Sequence, residues 1–257
     1  MTTLLCLGSG SKGNSFALEE EGAILLLDAG FSAKEITRRA TLAHLALERV
    51  VAIALTHEHG DHAAAAVQLA RRLGVPIAAS PGTWAALKET TGVAHLPLRA
   101  GAPASVGPFR VAAAASNHDA AEPMALAVWG PSGRRVGLAH DLGRPTAAVR
   151  YLLRDLTALV VEANHDEVLL RTSEYPATVR QRIAGGGGHL SNRAAAELLE
   201  ELVHPHLRHV VLAHLSERCN TPDEARATVT PALSRAGFTG TLHVAAQNEV
   251  MRVELGT

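Results

Sequence analysis

The sequence has few aromatic residues, two cysteines and no long apolar run. Phe, Trp and Tyr make up 3% of its 257 residues, which argues against an extended stacking platform for single-stranded nucleic acid. Cys6 and Cys219 are too few for a disulfide framework and fit a reducing cytoplasm. No apolar run is long enough to span a membrane, and the first residues lack the charged and apolar regions of a secretion signal. We therefore expect a cytoplasmic protein with no membrane partner.

Charge of neither sign is in excess. The chain has 24 basic and 25 acidic residues and a net charge of −1 with its 14 histidines neutral, so no global attraction to nucleic acid is built in. The basic residues are nearly all arginine, with only Lys12, Lys34 and Lys88 as lysines, and arginine is the better phosphate clamp. Hydrophobic residues make up 47% of the chain, enough for one domain spanning residues 1–257.

Apolar periodicity predicts an α/β fold in which strands and helices alternate without a linker. Strands are predicted at residues 3–7, 16–19, 23–28, 50–55, 77–79, 109–114, 124–128, 136–139, 158–162, 209–213, 241–244 and 249–254. Helices are predicted at residues 33–45, 62–73, 83–90, 145–153, 176–183, 192–204 and 222–235. This pattern favours two mixed β-sheets flanked by helices, with loops meeting at one edge.

The most informative segment of the chain is a loop rich in metal-ligating side chains. His57, His59, Asp61 and His62 fall within six residues, between a buried strand and a helix. Imidazole nitrogen combined with carboxylate oxygen suits zinc, manganese or iron better than calcium or magnesium. A surface loop with scattered histidines would explain one His-x-His, but not the whole pattern.

Three further strands end in ligand-type residues. The strand at residues 109–115 leads into His118, the strand at 136–139 leads into His140 and Asp141, and the strand at 210–213 leads into His214. Since His and Asp are ordinary strand-terminating residues, one such case has little weight. Three cases, added to the histidine-rich loop, predict a shared site at the strand ends.

These residues resemble the metallo-β-lactamase superfamily, whose ligand order they follow across most of the chain. The segment Asp28-Ala29-Gly30 belongs to the same pattern. More specific motifs resemble the WalJ/YycJ (VicX) branch. They are Ser9-Gly10-Ser11-Lys12-Gly13-Asn14-Ser15, Glu162-Ala163-Asn164-His165-Asp166, Gly188-His189-Leu190-Ser191-Asn192 and His214-Leu215-Ser216-Glu217.

The resemblance implies an αββα sandwich with two divalent transition metal ions, zinc or manganese, between its sheets. It implies that His57, His59 and His118 hold the first ion, that Asp61, His62 and His214 hold the second, and that Asp141 bridges them. Asp28 is expected to support the loop rather than bind metal. Two such ions would lower the pKa of a bridging water and produce a hydroxide that attacks a phosphodiester, with Asp61 counted among the catalytic residues.

A leaving alkoxide needs a proton, and Glu162 and His189 are the candidate donors. A Glu–His pair stands at corresponding points in the ribonuclease Z branch, which this region resembles. A carboxylate beside imidazole favours the protonated ring and makes His189 a suitable general acid. Two structural alternatives remain open: Glu162 as a helix-capping carboxylate and His189 as a satisfied polar residue in the glycine-rich turn at 185–188.

Substrate contacts are predicted in the loops around the metal ligands. The glycine-rich segment at residues 8–15 offers backbone N–H groups and hydroxyls to a phosphate, although it lacks the spacing of a P-loop and a tight turn explains it equally well. His165 is a candidate contact to a terminal phosphate, or part of a helix cap. The predicted substrate-binding residues are Ser9, Ser11, Asn14, Ser15, His165 and Ser216.

The resemblance implies a metal-dependent phosphodiesterase acting on nucleic acid, a 5′-to-3′ exodeoxyribonuclease for single-stranded or end-containing DNA, with no obligate protein partner. Two alternatives remain: a lactone, ester or thioester hydrolase on the same site, and a non-catalytic regulator. Two residues depart from the family pattern. His140 precedes the bridging aspartate and either competes as a ligand or points away from it. Cys219 either ligates metal or oxidises, or is packed and inert.

Overall fold

The computed structural model describes residues 1–256, which form two seven-stranded sheets. The strands are β1 (Thr2–Gly8), β2 (Ser15–Glu20), β3 (Ala23–Leu27), β4 (Val50–Ala54), β5 (Ile77–Ala79), β6 (His95–Pro97), β7 (Ala104–Val106), β8 (Phe109–Ala115), β9 (Met124–Trp129), β10 (Arg135–Ala139), β11 (Ala158–Glu162), β12 (His209–Ala213), β13 (Thr241–Val244) and β14 (Met251–Glu254). The first sheet has the order β14-β1-β2-β3-β4-β5-β6, and the second has the order β13-β12-β11-β10-β9-β8-β7.

Helices connect the strands and cover the outer faces of both sheets. They are α1 (Ala33–Leu42), α2 (Gly60–Ala63), α3 (Ala66–Leu73), α4 (Pro81–Ala86), α5 (Ala147–Leu152), α6 (Glu167–Thr172), α7 (Ala177–Ala184), α8 (Asn192–Leu202) and α9 (Pro222–Arg235), with a short 3₁₀ helix at Leu47–Arg49. Hydroxyl caps begin several of them, since Ser191 and Thr221 each accept a hydrogen bond from a first-turn backbone N–H. Within residues 1–256, no helix is long and apolar enough to cross a membrane.

The two sheets pack face to face around a shared apolar core. Phe16 and Leu18 of the first sheet are fully buried in the same cluster as Phe109, Leu126 and Val160 of the second. Separate clusters join the first sheet to α1 and α3, and the second sheet to α5, α8 and α9. Burying a Phe or Leu side chain contributes about 1.5–3 kcal/mol. The architecture is therefore helix–sheet–sheet–helix, which confirms the predicted αββα sandwich.

Strand direction sets where the functional loops emerge. In the first sheet, β3, β4, β5 and β6 are parallel, and β1 shares their direction because β2 is antiparallel to both of its neighbours. In the second sheet, β10 to β13 are parallel, and β8 shares their direction through the antiparallel β9. Within each sheet, the carboxyl ends of these strands therefore meet at one edge.

The structure differs from the predicted elements in three places, one of which is α6 (Glu167–Thr172), a six-residue helix that was not predicted. The single helix predicted at residues 62–73 is two helices, α2 and α3, because Ala65 has φ −106° and ψ 0° and its N–H donates to the Ala29 carbonyl at 2.9 Å. The strands β6 and β7 were not predicted. Each has only three residues, too few for an alternating pattern to stand out.

Candidate metal centre and adjoining cavities

The predicted ligands follow the carboxyl ends of strands from both sheets. His57, His59, Asp61 and His62 follow β4 of the first sheet, while His118, Asp141 and His214 follow β8, β10 and β12 of the second. Three strand-end residues, Asp28, Asp141 and His214, have positive φ values of 57°, 53° and 56°. Non-glycine residues rarely adopt this conformation, and such strain tends to cluster at functional sites.

The first group of donors consists of three histidines. One ligand nitrogen from each of His57, His59 and His118 lies within 4.8 Å of the others. His118 Nε2 lies 3.2 Å from His59 Nδ1, and the buried Nε2 of His57 has no hydrogen-bond partner in the described residues. Nitrogen atoms of the three rings thus converge, and this convergence suits a cation between them.

The second group consists of Asp61, His62 and His214. The Asp61 Oδ2 atom lies 3.3 Å from Nε2 of both histidines. Asp141 lies between the two groups, with its Oδ2 atom 2.8 Å from His62 Nε2 and 3.6 Å from His57 Nε2. Neither Asp141 oxygen has a partner in hydrogen-bond geometry although both are buried. A buried carboxylate left in this state calls for a cation.

Hydrogen bonds outside the ligand groups fix the histidine tautomers. His62 Nδ1 donates to Asp28 Oδ2 at 2.8 Å, and His214 Nδ1 donates to Glu162 Oε1 at 3.2 Å. Nδ1 of His118 donates to the Gly188 carbonyl at 3.2 Å. Each bond leaves Nε2 of the same ring as a lone-pair donor, which is how proteins commonly orient metal-binding imidazoles.

Asp28 supports the metal loop through its hydrogen bonds, and it also forms a buried donor group with His62 and His140. Its Oδ1 accepts from the Thr56 N–H and its Oδ2 from the Thr56 hydroxyl, both at 2.8 Å. That hydroxyl in turn lies 3.1 Å from His57 Nδ1, so the ring N–H donates to it and Nε2 is free. Gly30 completes this support, since a Cβ there would lie 1.7 Å from the Asp61 carbonyl oxygen.

The donors fit divalent transition metal ions. Ligand atoms converge in five overlapping groups within residues 1–256, of which four combine nitrogen with carboxylate oxygen and one is all nitrogen. This mixture suits zinc or manganese better than calcium. The fit rests on the buried, unpartnered atoms of His57 and Asp141 and on the tautomers that leave Nε2 free.

In the protein without ions, protons occupy part of this site. Burial lowers the pKa of His62, but Asp141 and Asp28 outweigh burial and hold that pKa well above its ordinary value. Burial likewise opposes charge on His214, yet Asp141 and its neighbours raise the His214 pKa to about 9. Burial and the nearby His62 hold the His57 pKa well below its usual range. The neighbouring carboxylates therefore favour the protonated forms of His62 and His214 when no cation is bound, and a bound cation would displace those protons from Nε2.

Glu162 and His189 form a hydrogen-bonded pair beside the ligands. His189 Nδ1 donates to Glu162 Oε1 at 2.7 Å and lies 3.0 Å from Asp141 Oδ1. The second Glu162 oxygen accepts from the backbone N–H groups of Leu142 and Leu190, each at 3.0 Å. Burial lowers the His189 pKa, but Glu162 outweighs it and raises that pKa to about 10. The ring is therefore cationic at neutral pH, and its Nε2 makes no hydrogen bond in the described residues.

A cavity of about 390 Å³ opens over the ligands and the Glu–His pair. Ser11 and Ser216, both predicted substrate contacts, line it. Sequence patterns did not single out its far wall, where Tyr175, Val179 and Ile183 face the cavity. The Val179 and Ile183 side chains recur at i and i+4 on α7, so they share one helical face. Helix α7 has several exposed positions, and its sequence pattern did not indicate that this face borders a site.

The other predicted substrate contacts lie elsewhere. Ser9, Asn14 and Ser15 are buried and hydrogen bond within the protein: Ser9 accepts from the His214 N–H, the Asn14 side chain lies 3.2 Å from His62 Nε2, and the Ser15 hydroxyl donates to the Asp28 carbonyl. These bonds hold the ligand loops. His165 lines a second cavity, not the one over the ligands. Direct contact of these four residues with substrate remains a prediction.

The two residues that depart from the family pattern lie outside the cavity. His140 is 2% exposed, and its Nδ1 lies 3.8 Å from Asp28 Oδ2, on the side of His62 that faces away from Asp141. Cys219 is fully buried as a free thiol and belongs to none of the described donor groups. His140 nevertheless forms a donor group with Asp28 and His62, and neither of its ring nitrogens has a hydrogen-bond partner in the described residues, so both alternatives for His140 remain predictions, whereas Cys219 is packed.

Comparison with known proteins agrees with the fold and donor set. Residues 8–189 match the family model of the metallo-β-lactamase superfamily. The chain belongs to that superfamily and is a metal-dependent hydrolase, as its resemblance to the superfamily predicted.

Two sequence relatives and one solved structure resemble this chain over most of its length. Exodeoxyribonuclease YycJ of Bacillus anthracis is 33% identical over 238 residues, covering 90% of this chain and 89% of that protein. Exodeoxyribonuclease WalJ of Streptococcus pneumoniae is 31% identical over 237 residues, covering 90% and 87%. The crystal structure of the metallo-β-lactamase fold protein YhfI from Bacillus subtilis superimposes with a TM-score of 0.71 at 16% identity, covering 98% of this chain and 100% of that one, and this likeness concerns the fold alone.

Proposed function

We propose that the protein is a dinuclear-metal-dependent phosphodiesterase that degrades DNA from an end, in the 5′-to-3′ direction. The observation that carries the proposal is the Glu162–His189 pair, 2.7 Å apart beside a ligand set large enough for two ions. A proton donor at this place serves a reaction with a poor alkoxide leaving group, which phosphodiester hydrolysis has. The similarity to two proteins named exodeoxyribonuclease supports nucleic acid as the substrate.

Seven side chains would hold the two ions. His57, His59 and His118 form one set, Asp61, His62 and His214 form the other, and Asp141 lies between them. When bound, zinc or manganese ions supply an activated water and neutralise charge that develops on the phosphodiester.

The chain's own side chains carry the proton steps. His189 Nε2 donates a proton to O3′ as the P–O3′ bond breaks, and Glu162 stabilises the imidazolium before transfer and keeps the ring oriented. Asp61, whose side chain is 30% exposed, accepts a hydrogen bond from the attacking water and aims it at phosphorus. The products are a 3′-hydroxyl on the departing side and a 5′-phosphate on the remaining strand.

A substrate panel tests the proposal. The manganese- or zinc-loaded protein would be assayed against linear 5′-phosphorylated single-stranded DNA, the same DNA as a closed circle, RNA, nitrocefin, a lactone and a thioester. We expect cleavage of the linear DNA and little cleavage of the circle. Equal cutting of both forms would make the enzyme an endonuclease. Hydrolysis of a lactone or thioester with intact DNA would refute the nucleic-acid proposal, and no hydrolysis at all would favour a regulatory role.

Two further parts of the proposal can be checked in the same preparation. With three or four phosphate contacts, the logarithm of affinity should fall with the logarithm of salt concentration at a slope of roughly −2 to −3. A cytoplasmic location agrees with the two free cysteines, Cys6 and Cys219, and cell fractionation would test it.

A further inference from the structure

A second cavity, of about 750 Å³, adjoins the cavity over the ligands. His189 lines both cavities. Helix α7 is their common wall, because Val179 and Ile183 face the first cavity while Arg180 and Ala184 face the second. Pockets of roughly 300–1,000 Å³ typically hold a small organic ligand. The second cavity is therefore large enough for one nucleotide placed next to the proton donor.

Arginines outnumber glutamates in the lining of this second cavity. Its arginines are Arg144, Arg150, Arg171, Arg180 and Arg193, and its glutamates are Glu167, Glu197 and Glu201. All three glutamates are already occupied, since Glu167 and Glu197 pair with Arg193 and Glu201 pairs with Arg150.

The remaining three arginines are available for an anion. Among residues 1–256, no carboxylate lies within 4.0 Å of the guanidinium of Arg144, Arg171 or Arg180. Arg180 donates only to the backbone carbonyls of Ser173 and Tyr175, at 3.2 and 2.7 Å. Guanidinium groups in this state fit the oxygens of a phosphate group.

His165 adds a polar atom that has no partner in the protein. Its side chain lines the second cavity and the residue is 2% exposed. The buried Nδ1 atom makes no hydrogen bond in the described residues. Leaving such an atom without a partner costs free energy, so His165 places an unsatisfied polar group at the wall of the cavity.

The 5′-to-3′ direction of the proposed reaction relates this cavity to the 5′ end of the DNA strand. The oxygen that receives the proton, O3′, belongs to the nucleotide on the 5′ side of the scissile phosphate. In a strand degraded from its 5′ end, that nucleotide is the terminal one, and it must lie against His189. We infer, on the basis of the function proposed above, that the second cavity binds the 5′-terminal nucleotide and that Arg144 and Arg171 contact its terminal phosphate.

The inference can be tested with a variant that removes two cations without breaking a described side-chain contact. Arg144→Ala/Arg171→Ala is suitable because neither side chain makes a described hydrogen bond or ion pair. Arg226→Ala is the matched control, since Arg226 is an exposed helix arginine that donates only to the Leu242 carbonyl. Each protein would be assayed on 5′-phosphorylated and 5′-hydroxyl DNA, and its metal-free form tested for binding of deoxyadenosine 5′-monophosphate by equilibrium dialysis.

We expect the wild type and the control to prefer the 5′-phosphorylated strand by about tenfold or more, the size of a charge-assisted hydrogen bond. The double variant should lose most of this preference and bind the mononucleotide about tenfold more weakly. If the wild type shows no preference for the terminal phosphate, or if the double variant keeps that preference, the inference is refuted and the nuclease proposal is unaffected. If DNA is not cleaved but the mononucleotide binds and this binding depends on the two arginines, the nuclease proposal is refuted and the nucleotide cavity is supported. Absence of both refutes both.

Discussion

Replacing His189 by alanine tests the proton donor most directly. The change removes the ring whose Nδ1 contacts Glu162 at 2.7 Å and Asp141 at 3.0 Å, and it leaves all seven proposed metal ligands in place. General acid catalysis contributes about 100- to 10,000-fold to rate. We therefore expect kcat on DNA to fall by about 100-fold or more, which corresponds to about 2.7 kcal/mol of transition-state stabilisation.

The size of the loss should depend on the leaving group. DNA releases a poorly acidic alcohol that needs the proton, whereas thymidine 5′-p-nitrophenyl phosphate releases a nitrophenolate that needs little help. The loss on the nitrophenyl substrate should be less than about tenfold. Steady-state kinetics on both substrates, with the metal content of each protein measured by elemental analysis, gives the comparison.

Two controls separate proton donation from a structural effect. His206→Ala removes an exposed histidine from the loop between α8 and β12 and should leave both rates and metal content unchanged. Added imidazole should restore part of the His189→Ala rate on DNA, because a free ring can occupy the vacated space. Equal losses on the two substrates, with full metal content, would show that His189 binds or positions substrate and would refute the proton-donor role.

The remaining predictions concern the metal centre and its loop. Asp141→Ala should lower metal occupancy and activity together, and full activity in this variant would exclude Asp141 as the shared ligand. Since the pKa values of His62 and His214 are raised, the latter to about 9, metal binding near pH 7.5 should release about two protons per chain; calorimetry in buffers of different ionisation enthalpy measures this. Because protons compete below the folded-state pKa, metal affinity should rise with pH up to about 9, and a plateau near pH 6.5 would contradict the raised values. Gly30→Ala should displace the metal loop, because its Cβ would lie 1.7 Å from the Asp61 carbonyl; an unchanged melting temperature and metal content would contradict that contact.

The sequence pattern alone indicated two mixed sheets flanked by helices and showed which strand ends carry the proposed ligand residues. Alternating elements predicted two mixed sheets, and the apolar run before His57 predicted a buried strand that ends at the site. The same reasoning applied to His118, Asp141 and His214. It succeeded because burial and strand periodicity are local properties, so a short stretch of sequence shows where a strand ends and which residue follows it.

Tertiary structure decided the features that depend on distant pairs. The contact of His189 with Glu162 spans 27 residues and that of His214 with Asp61 spans 153, so strand periodicity does not specify either one. Packing alone placed His165 in the second cavity and put the face of α7 that carries Val179 opposite the ligands. The physical reason is that local pattern fixes an element and its buried face, whereas the groups that converge at a site depend on how both sheets pack against each other.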